Sequence, residues 1–197
     1  RTLFFEKRNA LIVAAQVNLA SRSSVPERVL PVLPSHAEPI DTLSTLLDSV
    51  SGIVIGEAHS SIESKRLLID KMASLKQRGV TTLFLEHLLS DAHQALLDTY
   101  LLAPETAIMP EALSAYLEDQ DTGHRTDPTG QYTFRRLVET AKQHGIRIKA
   151  IDCYASYYLQ GLQGNSQGAL RTQAMNYYAS QVIEYEPVSY THLRAHE

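Results

Sequence analysis

The sequence has a single cysteine and no run of apolar residues long enough to cross a bilayer. Cys153 cannot form a disulfide within the chain, and no Cys/His spacing typical of structural zinc is present. The longest apolar stretch, around residues 10–17, falls short of the roughly 20 residues that a membrane helix needs. Positive charge is also scarce, because 18 Lys and Arg stand against 22 Asp and Glu, a formal charge of -4. These absences exclude a disulfide-stapled fold and a transmembrane helix, and they argue against a nucleic-acid partner.

The composition that is present suits one globular core. Of the 197 residues, 44% are hydrophobic and 20% are charged. We expect residues 1–50 to form a helix, a Pro-rich linker and a short helix, and residues 51–187 to form an incomplete α/β domain. We expect 188–197 to be a non-native tail, so the spacing of His192 and His196 predicts no metal pair. The first residue is not Met, which favours a fragment of a longer protein with unreadable targeting signals.

The first fifty residues change character twice. Good helix formers without Gly or Pro predict a helix over 3–20. Repeated prolines predict an extended linker over 21–39. Asp41 is a plausible N-cap for a short helix over 42–50.

From residue 52 onward, strand and helix patterns alternate. This order predicts an α/β fold with a mostly parallel sheet flanked by helices, joined by right-handed crossovers. Apolar β-rich runs predict three strands, at 52–56, 81–86 and 146–152. Helices are predicted over 60–78, opened by a Ser60–Glu63 capping box and closed by Gly79, and over 91–102, 110–118, 132–144 (closed by Gly145) and 168–184. Residues 119–130 are predicted to form a long polar loop.

Each predicted strand ends on or next to an acid, namely Glu57, Glu86 or Asp152. The carboxyl ends of parallel strands face one crevice, so we expect the three carboxylates to converge there. Two histidines accompany them, His59 and His87. Such groups can bind a divalent cation, or can divide acid and base roles between them. The two uses are compatible, and the sequence leaves both open.

Several of these residues also have a plainer explanation. Asp152 could cap the following helix, and His87 could be a buried histidine beneath the next helix whose ring nitrogens have hydrogen-bond partners. His93 is predicted to be a solvated residue on a helix face. Glu57 is harder to explain in structural terms alone, because Gly56 before it permits close backbone approach and a helix N-terminus follows it.

The predicted loop and the cysteine carry less weight. His124, Arg125 and Asp127 could contact a substrate from a loop over the crevice, although charged loops are usually only solvated. Cys153 is better explained as a small buried hydrophobe than as a nucleophile.

Two motifs suggest a family. Residues 56–61, Gly-Glu-Ala-His-Ser-Ser, and residues 85–88, Leu-Glu-His-Leu, resemble the superfamily of erythromycin-esterase-like proteins, haem-binding ChaN-like lipoproteins and TIKI-type metalloproteases. More narrowly, residues 53–157 are similar to a domain of large bacterial dermonecrotic and mitogenic toxins, often described as membrane-targeted effector toxins. The segments 127–134 and 148–153 support this narrower resemblance.

The resemblance implies that Glu57, His59 and Glu86 line the family's pocket, with Asp152 as a companion. There the two glutamates would hold a metal or orient water, and His59 would be a ligand or general base. The family's downstream Gly-Asn-x-His motif is missing, because Gly164-Asn165-Ser166 is not followed by His. The predicted catalytic set is Glu57, His59 and Glu86, the predicted metal set adds Asp152, and the predicted substrate contacts are His87, His124 and Arg125.

The predicted function is therefore a metal-assisted, hydrolase-like module of a secreted or delivered bacterial toxin. Its substrate would be a small or host-derived ester, amide or phosphoester, and its partners would be other domains of a longer toxin chain. Two alternatives stay open: a non-catalytic scaffold or binding domain, and a haem-binding domain with His59 as a possible axial ligand.

Overall fold

The computed structural model describes residues 2–21, 39–48, 50–58, 61–124, 127–158 and 167–186. The fold is α/β, as the sequence predicts: helices flank a parallel sheet of two strands in this described part of the chain. The elements in chain order are α1 (Thr2–Ser21), α2 (Pro39–Leu47), α3 (Glu63–Gln77), β1 (Thr82–Leu89), α4 (Ser90–Leu102), α5 (Glu111–His124), α6 (Phe134–Gln143), β2 (Arg147–Asp152), α7 (Tyr154–Tyr157) and α8 (Gln167–Tyr185).

The strand predicted at 52–56 is wrong. Residues 50–58 are described and contain no strand. A strand of a parallel sheet is buried on both faces, yet Val54 is 97% exposed. The apolar run therefore has a strand-like composition without the burial that a parallel sheet would give it.

The other two predicted strands are confirmed, with one difference that affects the site. β1 continues three residues beyond Glu86, because Leu88 and Leu89 are buried and extend it. Only Asp152 therefore ends a strand, and the prediction of three strands that all finish on an acid is wrong. In β2, Ile148 and Ala150 are buried while Arg147 is exposed, which confirms one partly exposed face.

The described chain divides into two compact units. The first comprises residues 2–21, 84–94, 149–158 and 167–186, where α1 packs against α7 and α8. Arg8 of α1 is 2% exposed, and its guanidinium donates to the carbonyl oxygens of Ala155, at 3.0 Å, and Tyr158. The buried arginine thus satisfies carbonyls of α7 and of the residue after it, and α1 is held by polar contacts as well as by apolar packing.

The second unit comprises residues 39–48, 50–58, 61–83, 95–124 and 127–148. Here α3 and α5 pack on α6, and α2 packs on α3. Its core consists of fully or almost fully buried apolar side chains: Met72, Leu75, Leu97, Leu113, Leu117, Leu137 and Val138. The separation at residue 50 expected from the sequence stays a prediction.

The helix ends follow their local signals in most places. Gly79 has φ +87° and donates to the Lys76 carbonyl, and Gly145 has φ +62° and donates to the Lys142 carbonyl. Both glycines close helices as predicted, because a left-handed residue at this position is cheap only for Gly. Thr133 caps α6 by accepting the Arg136 N–H at 3.0 Å. Ser60 of the predicted capping box lies outside the described residues, and α3 begins at Glu63.

Two predicted boundaries are wrong. Asp41 lies inside α2, which begins two residues earlier, so it is not the N-cap. α5 continues to His124 and takes up the first half of the predicted loop. The Asp121 carboxylate accepts the N–H groups of Phe134 at 2.7 Å and Arg135 at 3.3 Å, which fastens this last polar stretch of α5 to the start of α6.

Other predictions fall outside the described residues: most of the linker (22–38), the Gly-Asn-Ser segment (164–166) and the tail (188–197). None of the helices in the described ranges combines the length and the apolar character that crossing a membrane requires.

Candidate functional site

Glu57 is bonded to a buried lysine in the second unit. Lys65 Nζ donates to Glu57 Oε1 at 2.8 Å, and the exposed fractions of the two side chains are 1% and 22%. The same Nζ lies 4.7 Å from the centroid of the Phe134 ring, within the range of a cation–π interaction. The ammonium is therefore held by a carboxylate and by an aromatic ring.

The local sequence explains how these three groups meet. α3 begins at Glu63, so Lys65 lies in its first turn, soon after the segment that carries Glu57. Phe134 is the first residue of α6, which packs on α3 and is capped by Thr133. The sequence reasoning missed Lys65. The sequence did contain a sign of its role. Lys65 lies on the same face of α3 as Met72, seven residues later, and a lysine interrupts the apolar pattern of that face.

Asp152 lies in the first unit and is 1% exposed. Its Oδ2 accepts the backbone N–H of His87 at 2.9 Å. Burial raises the pKa of Asp152 to about 6, and the charge of Glu86 adds to the rise, while the His87 hydrogen bond and the charge of Arg171 oppose it. Asp152 is thus a buried carboxyl close to the end of β1, where Glu86 is exposed.

His87 has an unusual backbone. Its φ is +66°, the one left-handed non-glycine residue in the described ranges. This conformation costs on the order of 1 kcal/mol or more, so the surroundings must hold it, and the hydrogen bond to Asp152 is one such restraint. His87 is 7% exposed, and its ring packs edge-on against the Tyr157 ring, with 5.9 Å between the two ring centroids. His87 is therefore buried beside Asp152, and its role as a substrate contact stays a prediction.

The prediction for His93 is wrong, because the side chain is buried rather than solvated. Its exposed fraction is 7%, and its Nδ1 accepts the N–H of Leu89 at 3.0 Å. Burial lowers the His93 pKa, and the charge of Asp91 partly offsets this. The imidazole satisfies a backbone donor at the junction of β1 and α4, a tertiary role that helical periodicity does not reveal.

Replacing His93 by Phe is expected to lower the free energy of unfolding by about 1 to 3 kcal/mol, because the buried Leu89 N–H loses its acceptor. Urea unfolding of the wild type and the variant measures the effect. His144→Phe, which replaces a half-buried histidine after α6, is the control for the same substitution outside this contact. Equal midpoints for His93→Phe and wild type would show that the bond contributes nothing.

Asp127 has a structural role in the turn after α5. Its carboxylate accepts the backbone N–H groups of Thr129, Gln131 and Tyr132 at 2.9 to 3.1 Å, and these bonds lower its pKa. A cavity of about 580 Å³ opens beside it, with Glu118 and Asp121 in its lining. Because Asp121 and Asp127 are engaged by backbone donors, these two aspartates are explained by helix and turn capping.

The described residues divide the predicted site between the two units. Glu57 lies in the second, whereas Glu86, His87 and Asp152 come together in the first. His59, Arg125 and the side chain of His124 are not among the described parts. Within the ranges that are described, no three His, Cys, Asp or Glu side chains form a metal-binding group. Cys153 is fully buried, as predicted.

Comparison with known proteins supports a module of a bacterial toxin. Over 149 residues, or 75% of its length, the chain is 38% identical to the Multifunctional-autoprocessing repeats-in-toxin of Vibrio vulnificus, of which it spans 3%. It also matches the crystal structure of RRSP, a MARTX toxin effector domain from Vibrio vulnificus CMCP6, with 33% identity and a TM-score of 0.61. That match covers 80% of this chain and 29% of RRSP.

A second solved structure, described as one of bacterial protein toxins, has 33% identity and a TM-score of 0.57. The match covers 78% of this chain and 29% of the chain in that structure. The chain thus spans less than a third of each of these relatives. No family model matches the sequence. The broader resemblance to erythromycin-esterase-like, ChaN-like and TIKI proteins stays a prediction.

Proposed function

We propose that this chain is a hydrolase module of a bacterial toxin effector that is secreted or delivered to a host cell. Its similarity to a MARTX effector domain supports the toxin context. The observation that supports hydrolysis is the hydrogen bond from the buried ammonium of Lys65 to the carboxylate of Glu57, which is the first residue of the Glu-Ala-His sequence at 57–59. The reacting groups in this proposal are Glu57 and His59, and the catalytic role predicted for Glu86, which lies in the first unit, is a separate prediction.

In an acid–base mechanism, Glu57 accepts a proton from water as that water attacks an ester, amide or phosphoester. Its Oε1 is bonded to Lys65, so Oε2 is the oxygen that takes the proton. His59, two residues further along the chain, then supplies the proton to the leaving group or orients the substrate. Such proton transfers contribute about 10²- to 10⁴-fold to a rate.

A divalent metal is the second form of this proposal. The side chains predicted for it, Glu57, His59, Glu86 and Asp152, are of types that bind divalent cations. Lys65 opposes a metal at Glu57, because its ammonium is 2.8 Å from Oε1 and would repel a second cation on the same carboxylate. The residues around Glu57 therefore fit acid–base chemistry better, and we assign no step to a metal.

Replacing Glu57 by Gln is expected to reduce hydrolysis by about 10²-fold or more, since the change removes an ionisable group while keeping the side-chain shape. The measurement is turnover of a panel of p-nitrophenyl esters, anilides and phosphoesters by the purified protein. Glu105→Gln, an exposed glutamate between α4 and α5, is the matched control. Unchanged turnover in Glu57→Gln would contradict the proposal.

The same assay separates the alternatives. Loss of turnover in EDTA, with recovery on adding Zn²⁺ or Mn²⁺, would favour the metal-assisted form. A wild type that cleaves no member of the panel would favour a scaffold or binding domain. A Soret band that forms on adding haem and is lost in His59→Ala would favour haem binding.

A further inference from the structure

Lys65 is a charged side chain in a place where an apolar one would be expected. Lysine is almost never fully buried unless it is paired, and here only 1% of the side chain is exposed. Its neighbours along α3, Met72 and Leu75, belong to the apolar core of the second unit. Stability alone does not account for this choice, because replacing a buried ion pair by apolar residues is often neutral or stabilising.

The surroundings of the ammonium fix its position. The backbone of Lys65 lies in the first turn of α3, and its Nζ rests 4.7 Å from the Phe134 ring centroid, at the start of α6. Phe134 is itself held, because its side chain is 5% exposed and its N–H is bonded to Asp121 at 2.7 Å. The helix backbone and the Phe134 ring together restrict the position of the ammonium, and the Glu57 oxygen bonded to the ammonium is restrained in turn.

We propose that Lys65 is a positioning residue that holds the Glu57 carboxylate in the orientation its chemistry requires; this rests on the proposed function of Glu57. The hydrogen bond restrains Oε1 and thereby limits the rotations of the carboxylate that would redirect Oε2. Lys65 touches no reacting atom and acts only through Glu57. Misplacing a catalytic group by about 1 Å can cost on the order of 10²-fold in rate, so this restraint is sufficient to matter.

The first experiment compares Lys65→Met, Lys65→Gln and Lys65→Arg with the wild type. On the panel substrate that the wild type cleaves best, Lys65→Met is expected to lower kcat by about 10- to 100-fold and to leave KM within about twofold. Arginine keeps the charge and the donor, so Lys65→Arg is expected to recover most of kcat. Lys71→Met, a lysine of the same helix outside this contact, is expected to change neither constant.

The second experiment observes the carboxylate without any substrate. Isotope-edited infrared spectra of protein with ¹³C-labelled glutamate, minus those of Glu57→Gln, give the carboxylate band of Glu57. This band is expected to shift in Lys65→Met, to shift less in Lys65→Gln, which keeps a neutral donor, and to stay in place in Lys71→Met. If Lys65→Met does not fold, Lys65→Gln gives the same comparison of kcat and band position.

Two outcomes would overturn the inference: an unmoved Glu57 band in the Lys65 variants, or an unchanged kcat in a variant that melts at a lower temperature. The second result would define a purely structural ion pair. A wild type that cleaves nothing would defeat the proposed function instead, and the infrared band would then decide the inference about Lys65 alone.

Discussion

Replacing Asp152 by Asn is expected to remove a pH-dependent destabilisation of roughly 3 kcal/mol. The folded protein raises the pKa of this carboxyl from 3.8 to about 6, mainly by burial. At 1.36 kcal/mol for each pKa unit, a rise of about two units corresponds to about 3 kcal/mol. Below the unfolded pKa the carboxyl is protonated in both the folded and the unfolded state, so the destabilisation is absent and the protein has its full stability.

The sign follows from the protons that each state binds. Between about pH 4 and pH 6 the folded state holds a proton on Asp152 that the unfolded state has released, so stability falls as the pH rises. Above about pH 6 both states are ionised and the loss is complete. The asparagine of the Asp152→Asn variant does not titrate, yet its amide oxygen can still accept the His87 N–H.

Urea unfolding at about pH 4 and about pH 7.5 measures this prediction in wild type and Asp152→Asn. The difference between the two proteins isolates Asp152 from all other titrating groups. Asp70→Asn, an exposed aspartate on α3, is the matched control. The same pH dependence in wild type and Asp152→Asn would contradict the prediction. Stabilisation by Zn²⁺ or Mn²⁺ at neutral pH that Asp152→Asn abolishes would show that Asp152 is a metal ligand.

Removing Glu57 while keeping Lys65 is expected to destabilise the protein by about 2 to 3 kcal/mol. Glu57→Ala leaves the ammonium of Lys65 buried with the Phe134 ring but without its carboxylate. Breaking a buried pair in this way costs about 3 to 5 kcal/mol, and the 22% exposure of Glu57 reduces that figure through solvent screening. The double variant Lys65→Met with Glu57→Ala removes both charges and is expected to recover most of the loss.

A double-mutant cycle of urea unfolding, with Glu57→Ala, Lys65→Met and both changes together, measures the coupling. Additive effects would mean that the pair contributes no coupling energy. Glu57→Gln is the suitable variant for activity work, because its amide oxygen keeps an acceptor for Lys65. A loss of turnover in Glu57→Ala alone would mix chemistry with stability.

The helices were the most predictable part of the fold, because their signals are local. Gly79 and Gly145 close α3 and α6 with positive φ, as the pattern of apolar periodicity followed by glycine predicts. The predicted end of α5 was wrong because a group distant in sequence decides it. α5 keeps its last polar turn because the Asp121 carboxylate accepts a hydrogen bond from the start of α6. The local sequence of residues 119–124 does not predict this bond.

The candidate site was predictable in its residue types but not in its contacts. The sequence singled out Glu57, Glu86 and Asp152, and of these Asp152 is a buried carboxyl beside His87. It failed to identify Lys65 as the partner of Glu57, and it placed His93 in solvent. Both errors have one cause: periodicity locates a side chain on its helix and leaves open what packs against that face.

Apart from α7 and the exact bounds of α2 and α5, the sequence by itself determined the helices, the two paired strands, the acidic residues near them and the buried state of Cys153, since each follows from neighbours within a few residues. The tertiary structure alone decided that residues 52–56 form no strand, that Lys65 holds Glu57, and that burial raises the pKa of Asp152. These outcomes depend on groups brought together from distant parts of the chain, and on the removal of water that accompanies packing.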